Sequence, residues 1–292
     1  MSLVYLFAST EAKLNPSSLL TIRPLQTLED AEACEDLQVS IWPSHPGSAG
    51  FSIPIHMLMA QMELSGAVIG AWDGEKMVGF LYGSKELDEG GHLYHYSWLA
   101  GILPEYRHHK IMEQLKYAHA EIARAQGAYK IVWTYDPLQG ANANLNIHKL
   151  GGIARKYYIN RYGVRAGGSP QNIGMPADRF LLEWFLDGSF IRPDIPALQT
   201  IPQVNRVETN EYDLQAIRDY DLHLDQPLLA VEIPASFETL RTHPKGAGLD
   251  IEWRLKTREI FLHYFRQGYR VVDFLSERKG DERKNVYVLS QT

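Results

Sequence analysis

The first regular pattern along the chain is the short apolar run Leu20-Thr21-Ile22-Arg23-Pro24, which predicts a strand. Thr27, with Asp30 three residues on, supplies a helix cap, and the helix it opens runs to Ile41 before Trp42-Pro43 stops it. A loop marked by Pro43, Pro46, Gly47, Gly50 and Pro54 leads to a short helix over residues 56–64, whose methionines Met57, Met59 and Met62 read as core filling. Two apolar runs, Ala67 to Trp72 and Met77 to Tyr82, flank Asp73-Gly74 and predict an antiparallel hairpin. After a second turn at Glu89-Gly90-Gly91, residues 93–103 form a long strand ending before Pro104, which completes a three-stranded meander.

From Ile111 the period changes to that of a helix, with Ile111, Leu115, Ala118, Ile122 and Ala125 on one face and Gly127 at the expected end. The β-rich run Tyr129 to Tyr135 follows, so residues 93–135 form a strand, helix, strand unit with a parallel pair. A polar helical segment over residues 138–150, then strands over residues 156–162 and 179–186, are separated by a glycine- and proline-rich loop at 163–178. Pro193, Pro196 and Pro202 mark residues 187–210 as a linker. Beyond it the pattern gives a strand (228–234), a helix (251–267) and two strands (269–275 and 285–289), with the charged run 277–284 as a solvated turn. The expected organisation is a leader (1–19), an α/β domain with a mixed sheet (20–186), the linker (187–210) and a C-terminal α/β part (211–292) packed on the first.

Composition sets limits on this picture. The chain has 292 residues, 45% of them hydrophobic and 22% charged, which suits a globular protein and excludes disorder, collagen and coiled coil. With 29 basic and 35 acidic residues the net charge is −6, so no global positive field favours nucleic acid or an anionic membrane. No apolar stretch is long enough to predict a membrane span. Cys34 is the single cysteine, which forbids an internal disulfide and points to a reducing, cytoplasmic location. Neighbouring Glu32, Glu35 and Asp36 are expected to raise its pKa rather than activate it. Without H-E-x-x-H, a cysteine cluster or a calcium loop, no metal is expected, and neither a Walker loop nor a G-x-S-x-G elbow is present.

The order of elements over residues 20–186 resembles the GNAT superfamily of CoA-dependent N-acyltransferases. The likeness extends to one GNAT-like subgroup in the segments Asn142 to Gly151, Tyr158 to Gly163, Pro176 to Phe180 and Glu183-Trp184. In the tail it extends to Val231 to Pro234, Trp253-Arg254, Arg258, Gly268 to Val271 and Tyr287 to Leu289. The resemblance implies a GNAT-like fold with an appended C-terminal extension. It implies an acyl group moved from acetyl-CoA or another acyl-CoA to a small-molecule amine, with a homodimer as one form of assembly.

The residues at the turn support a CoA site independently. A strand ending at Ile102-Leu103, followed by a turn and a helix start, gathers unsatisfied backbone N–H groups at one point and suits a pyrophosphate. Arg107, His108, His109 and Lys110 add cations there, ahead of Ile111 and Met112. GNAT proteins usually carry R/Q-x-x-G-x-G/A at this turn, whereas both glycine positions are filled here, by Lys110 and Met112. If a left-handed conformation is required, each replacement costs roughly 1–2 kcal/mol. By the same resemblance Asn142 and Asn144 contact the pantetheine arm. The tyrosine acid of many GNAT proteins is replaced by Ile147, and a histidine of the subgroup by Trp98. For the proton transfers that acyl transfer needs, the candidates are His95 and Tyr94 on the long strand, Asp136 at the end of its parallel partner and Glu183 on the strand over 179–186. The substitutions also admit a different reading, a GNAT-like scaffold that binds a ligand or partner without catalysis.

Overall fold

The computed structural model describes residues 12–15, 18–43, 52–64, 66–107, 109–163, 175–280 and 282–291. Internal contacts divide the chain into two compact units, Met1–Val132 and Trp133–Thr292. Among the described residues no helix is long and apolar enough to cross a membrane.

In the first unit β1 (Ala12–Asn15), β2 (Ser18–Pro24), β3 (Ala67–Asp73), β4 (Lys76–Leu87) and β5 (Leu93–Ile102) lie side by side and antiparallel, followed by the start of β6 (Lys130–Tyr135). β5 and β6 pair in parallel at His95↔Ile131 and Tyr96↔Val132, where their ladder ends. The anticipated turn of the β3–β4 hairpin is made by Gly74 at φ 59°, a conformation that a side chain would disfavour. Both strands of that hairpin are buried almost without interruption, because helices cover both faces. A Cβ at Gly79 would touch Ile111 of α3 (Ile111–Ala125), whereas one at Gly101 would touch Ile41 and Trp42 at the end of α1 (Leu28–Ile41). Since Gly79 and Phe80 alternate faces and Phe80 pairs with Gly101, α3 and α1 lie on opposite sides. Thr27 caps α1 by accepting from Asp30 N, as the sequence predicts. α2 (Ile55–Glu63) buries Leu58; Met59 and Met62 pack on the core, and Met57 is exposed.

In the second unit the strand order is the end of β6, β8 (Arg179–Phe185), β7 (Ile153–Tyr158), β12 (Arg270–Lys279), β13 (Glu282–Ser290) and β11 (Leu228–Ile233). α4 (Gly140–Ala143) continues into a π-helical turn, Asn144–Lys149, and α5 (Phe237–Thr242) precedes the long α6 (Leu249–Arg266). The core gathers on Phe180, whose ring centroid lies 4.7 Å from that of Phe261 on α6, 5.6 Å from Tyr157 and 5.5 Å from Tyr287. Thus the α6 aromatics are covered by β7, β8 and β13.

Several expectations need correction. The strand expected at 156–162 runs instead over Ile153–Tyr158, because the chain turns at Asn160. Asn160 takes φ 46°, its N–H donates to Asp178 Oδ1, and its side chain accepts from Ala177 N. Within and beyond the expected linker lies an unforeseen hairpin, β9 (Asn205–Thr209) with β10 (Gln215–Tyr220), closed by Asn210 Oδ1 accepting from Tyr212 and Leu214 N–H. The strands of the last hairpin extend through most of the charged run to a turn at Gly280. Most of the leader and most of the 163–178 loop lie outside the described residues.

Arg254 and Asp136 supply the second unit's most deeply buried ion pair. Arg254 is 1% exposed and donates to both carboxylate oxygens of Asp136 at 2.7 and 2.6 Å. Removing Arg254 leaves the buried Asp136 carboxylate with the longer, 3.8 Å ion pair to Arg179, so Arg254→Ala should lower unfolding free energy by about 3 kcal/mol. The double variant Asp136→Leu with Arg254→Met should lose clearly less than that single change, as read by urea unfolding.

Candidate functional site

The first unit builds the turn that the sequence singles out. Leu103 N donates to Val78 O and ties the end of β5 to β4. A single 3₁₀ turn, Pro104–Tyr106, is held by the Tyr106 hydroxyl donating to Asp73 Oδ2 at 2.7 Å. Arg107, His109 and Lys110 then stand exposed immediately before α3, and His108 lies outside the described residues. Ile111 is buried and Met112 and Ile102 are half-buried, so these three present main chain rather than charge. Lys110 adopts φ 59° and ψ 16°, with no side-chain cap on the helix it precedes. The left-handed conformation that a glycine would adopt freely is therefore present here on a lysine, with its energetic cost.

His95 lies on the opposite side of β5 from any open surface. It is fully buried under α3, with Nδ1 3.1 Å from His119 Nε2 and Nε2 3.2 Å from Gln126 Oε1. Because Gln126 Oε1 only accepts, His95 Nε2 carries the proton and Nδ1 accepts from His119 Nε2–H. His119 Nδ1 is then a bare lone pair, buried with no hydrogen-bond partner among the described residues. Burial lowers the His95 pKa to about 4, and burial reinforced by the His95 and Lys116 charges lowers that of His119 well below its ordinary value. One turn earlier on α3, Lys116 is also buried, its Nζ donating to Ser97 Oγ at 3.0 Å, and burial brings its pKa down to about 7. The apolar stripe expected on α3 is thus rotated: the buried face carries Ile111, Leu115, Lys116, His119, Ala120 and Ala123. Lys116 and His119 were missed in the sequence reading. The available signal was that they fall beside Leu115 and Ala118, one position off the apolar stripe.

Tyr94 is half-buried on the other face of β5, with Tyr96 and Trp98. Burial and the Glu86 charge raise its pKa, so the phenol keeps its proton. Cys34 is buried, and burial, with a smaller contribution from Glu35, pushes its thiol up to about 12.

The second unit holds the remaining candidates. Burial pushes the Asp136 carboxyl up, but the Arg254 guanidinium more than offsets this and keeps it ionised; a further oxygen contact caps Leu138 N. A carboxylate so held is a poor proton acceptor. Asn142 is exposed and Asn144 half-buried on α4 and its π-helical continuation, while Ile147 is fully buried. Glu183 accepts from Arg155. A groove of about 510 Å³ runs past Asn205, Tyr220, Glu232 and Lys284, and none of the catalytic or cofactor-binding candidates lines it.

The strain at Lys110 has a direct test. Lys110→Gly should raise unfolding free energy by about 1 kcal/mol, because glycine adopts φ 59° without steric penalty. The measurement is the midpoint of urea unfolding against that of the parent.

Residues 32–151 match the sequence model of the Acetyltransferase (GNAT) family. Among solved structures, the chain is similar to a GNAT-family acetyltransferase from Streptococcus pneumoniae, with 14% identity over 57% of this chain and 99% of that one, TM-score 0.46. It is similar to a putative acetyltransferase from Salmonella typhimurium with acetyl-CoA, with 16% identity over 61% of this chain and 99% of that one, TM-score 0.46. The Escherichia coli ribosomal-protein-S18-alanine N-acetyltransferase gives 12% identity over 60% and 99%, TM-score 0.44. A search of curated proteins by sequence gives no match. Residues 32–151 thus carry a domain of the GNAT acetyltransferase family.

Proposed function

We propose that the protein is an N-acyltransferase that moves an acetyl or other acyl group from acyl-CoA to a small-molecule amine. The observation that carries this reading is the backbone of the turn before α3. Lys110 holds the left-handed conformation at a position where the family pattern has a glycine, and its side chain makes no cap on the helix it precedes. The start of a helix directed at that turn, with Arg107, His109 and Lys110 exposed around it, fits a pyrophosphate. In this reading Arg107 and Lys110 contact phosphate, and the main chain from Ile102 to Met112 lines its approach. Asn142 and Asn144 keep the pantetheine contact as part of the proposal.

Acyl transfer then follows from direct attack by a neutral amine on the thioester carbonyl, within a ternary complex. The carbonyl oxygen is polarised by main-chain N–H groups of β5 beyond Tyr96, where its ladder with β6 ends. Tyr94, which keeps its proton, suits the role of acid to the departing thiolate. His95 is enclosed with both ring nitrogens engaged, and Asp136 is neutralised by Arg254, so neither is assigned the base. A second reading, binding without turnover, is favoured by fully buried Ile147 at the position of the usual tyrosine acid.

Calorimetry separates these. Acetyl-CoA should bind the full-length protein at low salt, with affinity falling as salt rises, and Arg107→Ala should weaken it about tenfold, the range of one charge-assisted phosphate contact. Binding with transfer to alkylamines supports the enzyme. Binding without transfer to any amine supports the scaffold, and absence of heat from folded protein overturns the enzyme and leaves a scaffold for another ligand or partner.

A further inference from the structure

Along β4 and β5 the register passes from Gly83↔Ser97 to Tyr82↔Leu99, which leaves Trp98 as the extra residue of a bulge. Ser97 points toward α3 and Lys116, so Trp98 points to the opposite face, in line with Tyr96 and Tyr94 at spacing two. Ser84 and Glu86 of β4, paired with Tyr96 and Tyr94, share that face. The result is a row of aromatic rings with a carboxylate along its side.

Trp98 is 57% exposed, yet its ring is fixed. Its Nε1–H donates to Ser84 Oγ at 2.7 Å, and the Ser84 hydroxyl donates to Glu86 Oε1 at 2.5 Å. The Tyr96 ring packs against it at 4.6 Å between centroids and 51° between planes. Holding an indole in one orientation while leaving it in solvent contributes little to the core. It does prepare a flat π surface. The chain from carboxylate to hydroxyl to indole also pushes electron density toward the ring, because each accepted proton polarises the next bond.

Such a surface favours a cation. The same row already holds an ammonium at its other end, where Lys130 Nζ lies 5.8 Å from the Tyr94 centroid and 5.0 Å from that of Tyr129. Glu86, whose backbone pairs with Tyr94, turns its carboxylate to Ser84, the acceptor of the Trp98 indole, and there it would repel an anion and attract a cation. The net charge of −6 gives a cation no long-range opposition.

We infer that Trp98, Tyr96 and Glu86 form an ammonium-binding shelf for the acceptor, and that the acceptor is a primary alkylamine held as its cation before it loses a proton. Only the word acceptor rests on the acyltransferase reading; the affinity of the shelf for an alkylammonium ion stands without it.

The test uses full-length protein without acyl-CoA, titrated with n-butylammonium or with n-butanol at matched ionic strength. Binding is followed through the Trp98 indole N–H resonance, assigned by its absence in Trp98→Phe, and by calorimetry. n-Butylammonium should shift that resonance, and n-butanol should not. Trp98→Leu should weaken n-butylammonium about threefold to tenfold, with Trp98→Phe between the two because it keeps a ring. Glu86→Gln should weaken it as well, and the melting temperature of each variant checks its fold. An equal shift from n-butanol, or unchanged affinity in Trp98→Leu, overturns the shelf. Amine acylation with an unaltered amine KM in Trp98→Leu would overturn the shelf and leave the acyltransferase reading intact. Alkylammonium binding by a protein that acylates no amine would support the shelf and overturn that reading.

Discussion

The first unit depends on an unusual packing constraint: α3 is laid on β5 over three basic side chains. Lys116, His119 and His95 fill space that would ordinarily be aliphatic, and each is tolerated only while it is neutral or well paired. Ser97 receives Lys116, and the two imidazoles form a relay ending at Gln126. Even Gly83 belongs to this arrangement, since a Cβ there would come within 2.8 Å of the His119 ring.

That constraint organises both faces of β5. Placing Ser97 and His95 against α3 commits the alternating Tyr94 and Tyr96 to the other side, and the bulge at Trp98 extends the aromatic row. It also fixes where α3 begins, with Ile111 buried and Arg107, His109 and Lys110 exposed around the helix start. The left-handed Lys110 follows: the chain must reverse sharply between the 3₁₀ turn and a helix whose first residue is already anchored. The exposed basic turn before α3 and the aromatic row on the other face of β5 are therefore consequences of one seated helix.

Much of this was legible along the chain because the signals are local. Asp73-Gly74 announces a hairpin, Thr27 with Asp30 a helix start, and the change of period at Ile111 a strand-to-helix transition, and each depends on a few adjacent residues. Hidden features depend on partners far away in sequence. Asp136 looks like a free carboxylate until Arg254, 118 positions on, closes on it. The β9–β10 hairpin is mostly polar, with little of the apolar alternation that marks a strand, so its first strand looks like linker in the sequence. His95 was legible as a titratable group on the long strand, but not as one sealed by His119, because periodicity shows that a face is buried and not which polar groups are buried with it.

The packing claim is tested most directly by the pH dependence of stability in wild type and Lys116→Met. The folded-state pKa of Lys116 is lowered from 10.5 to about 7, so between those values the unfolded chain binds a proton that the folded chain does not. Stability should therefore rise with pH across that window, relative to the methionine variant, by about 1.4 kcal/mol per pH unit. At pH 7 the variant should be as stable as the parent or more so, because a linear apolar chain replaces a buried amine. Urea unfolding from pH 7 to pH 10 measures the difference: a gap that widens steadily in favour of wild type is the predicted result, and parallel curves would contradict a buried, largely neutral Lys116 beneath β5.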